Sequence, residues 1–275
     1  YPPEFPQLGK DLLYLISSLN IFVFNGLIEY LVGIMMMISR TVGAWQATYF
    51  MGNVYGSEGA GLAYFPALFF SKESLGFLIL LFLTISFSIL SFWKNNNKFG
   101  QKIINFFNNP FKAVFVIFLL IYALFSLTLR LNIGLRHIFP ITFLLYILVA
   151  KKISDWLSSA ANFGAGGKIS FLLVPVFIII LASWILSWPN FLSYYNILAG
   201  GTSNGYKIAT DSNYDWGGQD VKRLGKWVED NKIEKIYAHI FSNVSLDYYL
   251  GKAYQPFNIR YNSLPPKGSL LAVSA

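Results

Sequence analysis

The chain has 275 residues, of which 55% are hydrophobic, 18% aromatic and 12% charged. This composition lies outside the range of soluble globular domains and indicates a membrane protein. The chain contains no cysteine, which excludes disulfides, thiolate nucleophiles and Cys-ligated metals. The formal net charge of +8 does not indicate nucleic-acid binding, because several lysines flank predicted membrane spans, where they set orientation.

Residues 1–74 contain two short apolar stretches, Leu12–Phe24 and Leu27–Ile38, which polar residues such as Asn20 and Glu29 interrupt. Stretches this short favour interfacial or re-entrant helices, although fusion of the two into one tilted span stays open. We therefore assign residues 1–74 to an external or interfacial segment.

Four later segments are each apolar over about twenty residues, which is the length that crosses a bilayer. They are residues 75–93, 113–129, 133–150 and 169–188. Together they form a predicted membrane domain over residues 75–188.

Lysine-rich loops predict the orientation of these spans. The loop Lys94–Lys112 contains lysines and no acidic residue, and the loop Lys151–Lys168 contains three lysines against Asp155. Short loops rich in lysine stay in the cytoplasm. The turn at Arg130–Arg136 and everything after Trp188 are therefore expected on the outer side of the plasma (inner) membrane, in a multi-pass protein.

The pattern changes after Trp188, and residues 189–275 predict a small extracytoplasmic α/β domain. Its predicted elements are a helix over Gly218–Asn231, a strand over Lys235–Phe241, a helix over Ser245–Leu250 and a strand over Ser269–Ser274. The first helix is amphipathic, with Val221, Leu224 and Val228 on one face, and Asp215 or Asp220 could cap its first turn. The predicted fold class is thus mostly α: a polytopic membrane protein with about four transmembrane helices and this α/β domain.

The polar run Thr210–Asp220 is the most concentrated group of polar side chains in the chain, and three interpretations stay open. As a structural element it would form turns, with Trp216 packed against the membrane domain. As a divalent-ion site it would use Asp211, Asn213 and Asp215, although Lys222 stands where an EF-hand needs a bidentate glutamate. As a sugar or acceptor site, or a lid over one, it would use Asn213, Asp215, Gln219 and Asp220, with Trp216 stacking on the sugar ring.

Several motifs in the chain resemble one protein family. The segments are Ala47–Gly52, Ala63–Lys72, Asn132–Pro140, Pro189–Gly201, Asn204–Tyr206 and Asp211–Asp220. In this order they resemble bacterial membrane glycosyltransferases of the dolichyl-phosphate-mannose protein mannosyltransferase-like type (family 39 type, GT-C fold). The likeness runs from about Leu27 to the end, and it departs from the family pattern at Gly217-Gly218 and at Ala60–Ala63.

The resemblance implies a reaction in which a sugar moves from a polyprenyl-phosphate donor in the bilayer to an extracytoplasmic acceptor, either a protein or a lipid or glycan. The family carries its main acidic residues in the first external loop, so the catalytic base is expected upstream of Tyr1. Tyr1 is not an initiator methionine, and we expect the chain to be the C-terminal part of a longer protein. The sequence indicates no particular cofactor with certainty, and a divalent metal stays open.

Arg136 and His137 lie at the outer end of the third predicted span, where lipid headgroups are found. Because a guanidinium binds phosphate oxygens in pairs, the resemblance suggests that these two residues bind the donor phosphate. The alternatives are that Arg136 snorkels to the interface as an anchor and that His137 is structural. Arg130 and Lys72 are interpreted as anchors.

A non-enzymatic interpretation also stays open, in which the chain is a scaffold or a transporter half with an external binding module. Transporters place polar residues inside their spans near the bilayer midplane. The first, second and fourth predicted spans contain few polar residues beyond Ser and Thr, which favours the enzyme.

Overall fold

The computed structural model describes residues 25–42, 48–56, 58–94, 107–162, 166–211, 218–240, 244–258 and 264–273. The helices are α1 (Asn25–Val42), α2 (Tyr64–Lys72), α3 (Leu75–Lys94), α4 (Pro110–Thr128), α5 (Phe139–Asn162), α6 (Gly166–Ser187), α7 (Val221–Asp230) and α8 (Leu246–Leu250). The strands are β1 (Thr48–Phe50), β2 (Asn53–Tyr55), β3 (Ile236–His239), β4 (Tyr254–Pro256) and β5 (Leu270–Val273). The described part of the chain is mostly helical with a small sheet region, which confirms the coarse fold class.

Helices α3 to α6 form the main helical body. Helix α3 contacts both α5 and α6, which also contact each other, and α4 packs beside α5. Gly76 in the first turn of α3 allows a close approach to α6, because a Cβ at this position would lie 2.7 Å from the backbone oxygen of Val176. Small residues at such crossings let two helix backbones approach each other.

The four predicted spans coincide with helices, but these helices differ in length and apolarity. Among the described residues, Leu135–Ser159 is long and apolar enough to cross a bilayer by itself. Tyr64–Lys72 and Leu75–Ser91, bent by 116° at their junction, would be a second span if they act as one broken helix. Ala113–Thr128 and Leu173–Ser187 are apolar but shorter. Four transmembrane helices therefore remain a prediction.

The prediction of a loop over Lys151–Lys168 is wrong, because most of this segment is helical. Helix α5 continues through Asn162, and α6 already begins at Gly166. The extension is favourable because Lys151 and Asp155 form an ion pair one helical turn apart, with Nζ and Oδ2 3.3 Å apart.

At the other end of the chain, Leu27–Ile38 lies inside the continuous helix α1, and Leu12–Phe24 lies outside the described residues.

Three segments that are distant in sequence meet at one end of the helical body. Strands β1 and β2 form an antiparallel hairpin, and Phe50 of β1 bridges to Ala209. The turn at Met51 and Gly52 has φ values of 45° and 88°, as a two-residue hairpin turn requires. The third segment contains Asn132, whose side-chain oxygen accepts a hydrogen bond from the Ala60 N–H at 2.7 Å. Buried apolar residues of all three segments thus share one core with the helix ends: Phe50, Ala60, Leu135, Ile138, Tyr195, Ala199 and Ala209.

The α/β lobe consists of a three-stranded parallel sheet in the order β4-β3-β5, with α7 and α8 packed together beside it. The predicted helix, strand, helix and strand all appear within two or three residues of their expected bounds. Val221 and Val228 are buried, as the amphipathic pattern predicts. Strand β4 was not predicted, because it has three residues and ends in Pro256, which is tolerated on an edge strand.

Candidate functional site

A buried ion pair lies where α2 ends. The Lys72 ammonium is 3.0 Å from Asp211 Oδ2, and the two side chains are 7% and 0% exposed. Lys72 also donates to the Leu192 carbonyl at 2.9 Å and lies 4.8 Å from the centre of the Tyr195 ring. The expectation that Lys72 is an interface anchor is therefore wrong, because its charge is buried against a carboxylate rather than exposed at a lipid boundary.

A second buried carboxylate follows directly in sequence. The Tyr146 hydroxyl donates to Glu73, with distances of 2.8 and 2.7 Å to the two carboxylate oxygens. Glu73 lies between α2 and α3, just before the predicted span that begins at residue 75. Burial raises the pKa of Glu73, and the hydrogen bond from Tyr146 opposes that shift. We call Lys72, Glu73, Tyr146 and Asp211 the polar centre.

Two adjoining cavities of about 460 and 260 Å³ open beside the polar centre. They share the lining residues Lys72, Glu73, Tyr146, Phe191 and Tyr194. The larger cavity adds Phe77, Ile180 and Trp184 together with three serines, and the smaller adds mainly apolar residues such as Phe139 and Phe143. Each cavity therefore combines a charged end with an apolar wall, which suits an amphipathic ligand.

Arg136 and His137 lie in the 3-10 turn Leu135–Ile138, which leads into α5. This turn touches the polar centre, since the Leu135 N–H points to Asp211 Oδ2 at 3.4 Å. The Nε2 atom of His137 is buried and has no hydrogen-bond partner among the described residues. Both residues of the predicted phosphate site therefore lie in a turn that contacts Asp211.

Asn196 fixes the bend between α2 and α3. Its side-chain amide donates to the carbonyls of Phe70 at 2.6 Å and Glu73 at 2.8 Å, and its backbone N–H donates to the Ser71 carbonyl at 2.8 Å. The last carbonyls of a helix have no partner within the helix, so Asn196 caps α2 from a distant part of the chain. Asn196 is 1% exposed.

Asp220 lines a second cleft, beside the loop that follows α6, and Gln219 contacts a residue of its lining. This cleft measures about 440 Å³ and is lined by polar and aromatic side chains: Asn190, Ser193, Thr202, Asp220, Arg223, Leu224 and Trp227. Gln219 donates to the Ser193 hydroxyl at 3.1 Å. Asp220 is at the N-cap position of α7 but makes no capping hydrogen bond, and it pairs instead with Arg223 at 3.0 Å. Asp220 thus occupies the predicted capping position but makes no capping hydrogen bond, and Asp215, the alternative cap, lies outside the described residues.

The rest of the polar run lies outside the described residues, namely Asn213, Asp215 and Trp216. Asp211, the first member of the proposed ion set, is paired with Lys72. Within the described residues no group of three or more His, Asp or Glu side chains could hold a metal ion. The sugar-binding and metal-binding interpretations of Asn213 and Asp215 remain predictions.

The sequence did not indicate Glu73, Tyr146 or Asn196 as site residues. A usable signal existed for the first, because Lys72-Glu73 places two charges directly before an apolar run. Tyr146 lies among apolar residues of α5 and has no such signal.

Comparisons with protein-family models, curated proteins and solved structures found no match to the chain.

Proposed function

We propose that the chain is the C-terminal part of a membrane glycosyltransferase, which moves a sugar from a polyprenyl-phosphate donor to an extracytoplasmic acceptor. The observation that carries this proposal is the polar centre at the mouth of two aromatic-walled cavities. A polyprenyl phosphate has an anionic head and an apolar tail. The aromatic walls complement the tail. The head is expected beside Arg136 and His137 in the turn that contacts Asp211, because the Lys72 ammonium is already paired with Asp211.

The mutual contacts of the motif segments support the same proposal. Most of the segments that resemble the glycosyltransferase family are far apart in sequence, yet they contact one another. Lys72 pairs with Asp211 at 3.0 Å, and the Leu135 N–H points to the same carboxylate at 3.4 Å. Thr48 donates to the Asn132 carbonyl at 2.9 Å, and Asn196 donates to the Phe70 carbonyl at 2.6 Å. Motif segments that assemble around one centre are expected of a shared site.

The apolar surface of the helical body supports a multi-pass membrane location. Large apolar side chains on the outer faces of α3 to α6 are mostly exposed, including Phe82, Leu120, Ile147 and Leu186. Soluble monomers rarely expose apolar patches of this extent, whereas lipid tails cover them without cost. We place these faces in the bilayer, with the polar centre at the outer end of the helices.

The residues then have separate roles. Arg136 and His137 bind the donor phosphate, and the buried Lys72–Asp211 pair supports the turn that carries them. Gln219 and Asp220, with Asn213, Asp215 and Trp216 of the polar run, contact the sugar or the acceptor. The base that removes the acceptor proton belongs to a segment upstream of Tyr1.

The decisive test compares two arginines at the same end of the helical body. Arg136→Ala in the full-length protein should abolish sugar transfer and weaken binding of undecaprenyl phosphate in detergent by about a hundredfold, since it removes a charged phosphate donor. Arg130→Ala is the matched control, because Arg130 is exposed and we assign it to interface anchoring. Binding can be measured by native mass spectrometry, and transfer in membranes from a labelled polyprenyl-phosphate sugar.

Undecaprenyl alcohol serves as the second control, because it has the tail without the phosphate. The proposal requires weak binding of the alcohol and equal binding of the alcohol by both arginine variants. The proposal is refuted if the parent protein binds undecaprenyl phosphate and undecaprenyl alcohol equally well. It is also refuted if Arg136→Ala and Arg130→Ala weaken the binding of undecaprenyl phosphate to the same extent.

A further inference from the structure

An open groove lies between α7 and α8 on the α/β lobe, away from the polar centre. Its volume is about 670 Å³, which is within the range of small-molecule sites. It shares no lining residue with the two cavities at the polar centre. Gly225 brings its two helices together, since a Cβ on this residue would collide with the Tyr249 carbonyl oxygen.

The groove is strongly basic. Lys222, Lys226 and Lys232 line it, and the structure records no ion pair for these three among the residues it describes. Arg223 also lines the groove, but Asp220 partly neutralises its charge. Glu229 is the one carboxylate among the described lining residues. A site with this balance attracts an anion.

Two tyrosines form the opposite wall of the groove. Tyr248 and Tyr249 are in edge-to-face contact, with ring centres 5.0 Å apart, and Tyr248 is 79% exposed. An exposed tyrosine ring offers a flat apolar face together with a hydroxyl, which suits the C–H face and the hydroxyls of a sugar ring. Lysines on one side and rings on the other thus match a saccharide that carries negative charge.

The shape of the groove decides between a saccharide and a lipid surface. Lysine with tyrosine is also the composition of membrane interfaces. The lysines and tyrosines, however, line one depression of about 670 Å³ between two helices, a volume that suits a sugar and that a flat bilayer surface does not fill. We infer that the groove between α7 and α8 binds an anionic saccharide, with its carboxylate or phosphate groups on Lys222, Lys226 and Lys232 and a sugar ring on Tyr248.

Calorimetric titration of the detergent-solubilised chain with trigalacturonate tests this inference, with maltotriose as the neutral probe of similar size. Trigalacturonate should bind and maltotriose should not. The double variant Lys222→Gln/Lys226→Gln should weaken binding by about tenfold at low salt and by less at high salt, because salt screens exposed charges. Tyr248→Ala should weaken binding at both salt concentrations, since stacking is not screened.

The double variant Lys235→Gln/Lys267→Gln is the matched control. It removes the same charge from exposed lysines that do not line the groove, and its affinity should equal that of the parent. Circular dichroism checks that every variant is folded. Equal losses in both double variants, or equal binding of the two probes, would overturn the inference. The inference would also be overturned if the parent protein did not bind trigalacturonate while the variant Lys222→Gln/Lys226→Gln lost binding to phosphatidylglycerol vesicles.

Discussion

The buried pair Lys72–Asp211 is the residue-scale feature on which the site depends. Removal of one partner leaves an uncompensated charge in the core, so Lys72→Met or Asp211→Asn should each lower the free energy of unfolding by about 3–5 kcal/mol. The double variant Lys72→Met/Asp211→Asn should cost clearly less than the sum of the two. Thermal or denaturant unfolding in detergent measures all four proteins of this cycle.

The exposed pair Lys151–Asp155 provides the control for that cycle. Its side chains are 71% and 56% exposed, so Asp155→Asn should change the free energy of unfolding by less than about 1 kcal/mol. Additive effects of Lys72→Met and Asp211→Asn would show that the two buried charges do not act as a pair.

Glu73 predicts a dependence of stability on pH. Because burial raises the pKa of Glu73, the folded state binds its proton more tightly than the unfolded state does. The carboxyl therefore favours folding most below its ordinary pKa, and this contribution is lost as the pH rises through the raised value. Glu73→Gln keeps an oxygen for Tyr146, so at neutral pH it should unfold at the same or a higher temperature than the parent, with the difference shrinking toward acid pH.

Glu58 supplies a control of opposite sign. Its own backbone N–H and that of Gly56 lower the pKa of the exposed Glu58 carboxyl. Glu58→Gln should therefore gain nothing at neutral pH. A Glu73→Gln protein that is less stable than the parent at neutral pH, and more so as the pH rises, would contradict the assignment for Glu73.

At the scale of elements, two helical glycines separate the effect of packing from that of helix propensity. Gly76→Ala should push α3 away from α6 and lower the free energy of unfolding by about 1–3 kcal/mol. Gly33→Ala in α1 has no atom within 4 Å of the added methyl group and should raise helix stability by about 0.5–1 kcal/mol. Unfolding measurements on both variants check the prediction, and equal behaviour would exclude a tight contact at Gly76.

The sequence predicted the helical body well, because apolar length alone identifies long buried or lipid-facing helices. It failed at the end of α5, where Lys151, Lys152 and Asp155 suggested a loop although all three are compatible with a helix. It missed the pairing of Lys72 with Asp211 and of Glu73 with Tyr146 for another reason. Each pair joins residues far apart in the chain, and no local pattern encodes a contact that only tertiary packing creates.

The whole molecule has a predicted topology that its composition makes easy to test. Because the chain lacks cysteine, a single introduced thiol reports its own location. Ser203→Cys should react with a membrane-impermeant maleimide in intact cells, since residues after Trp188 are predicted to be outside. Ser158→Cys, which replaces an equally exposed serine near the end of α5, should react only after the cells are permeabilised.

Any labelling of both positions in intact cells, or of neither, would refute the arrangement of four spans. Labelling of Ser158→Cys alone would reverse the orientation. The outcome also bears on the proposed function, because donor and acceptor must meet on the side where the polar centre lies.

The cap that Asn196 provides for α2 has a consequence for the order in which the protein is made. Asn196 caps the bend after Lys72, and Asp211 is the ion-pair partner of Lys72. Both of these residues leave the ribosome after all four predicted spans have been synthesised. During most of translation the nascent chain therefore lacks these partners, and the two cavities at the polar centre can form only once the segment beyond the last predicted span has folded back onto residues made much earlier.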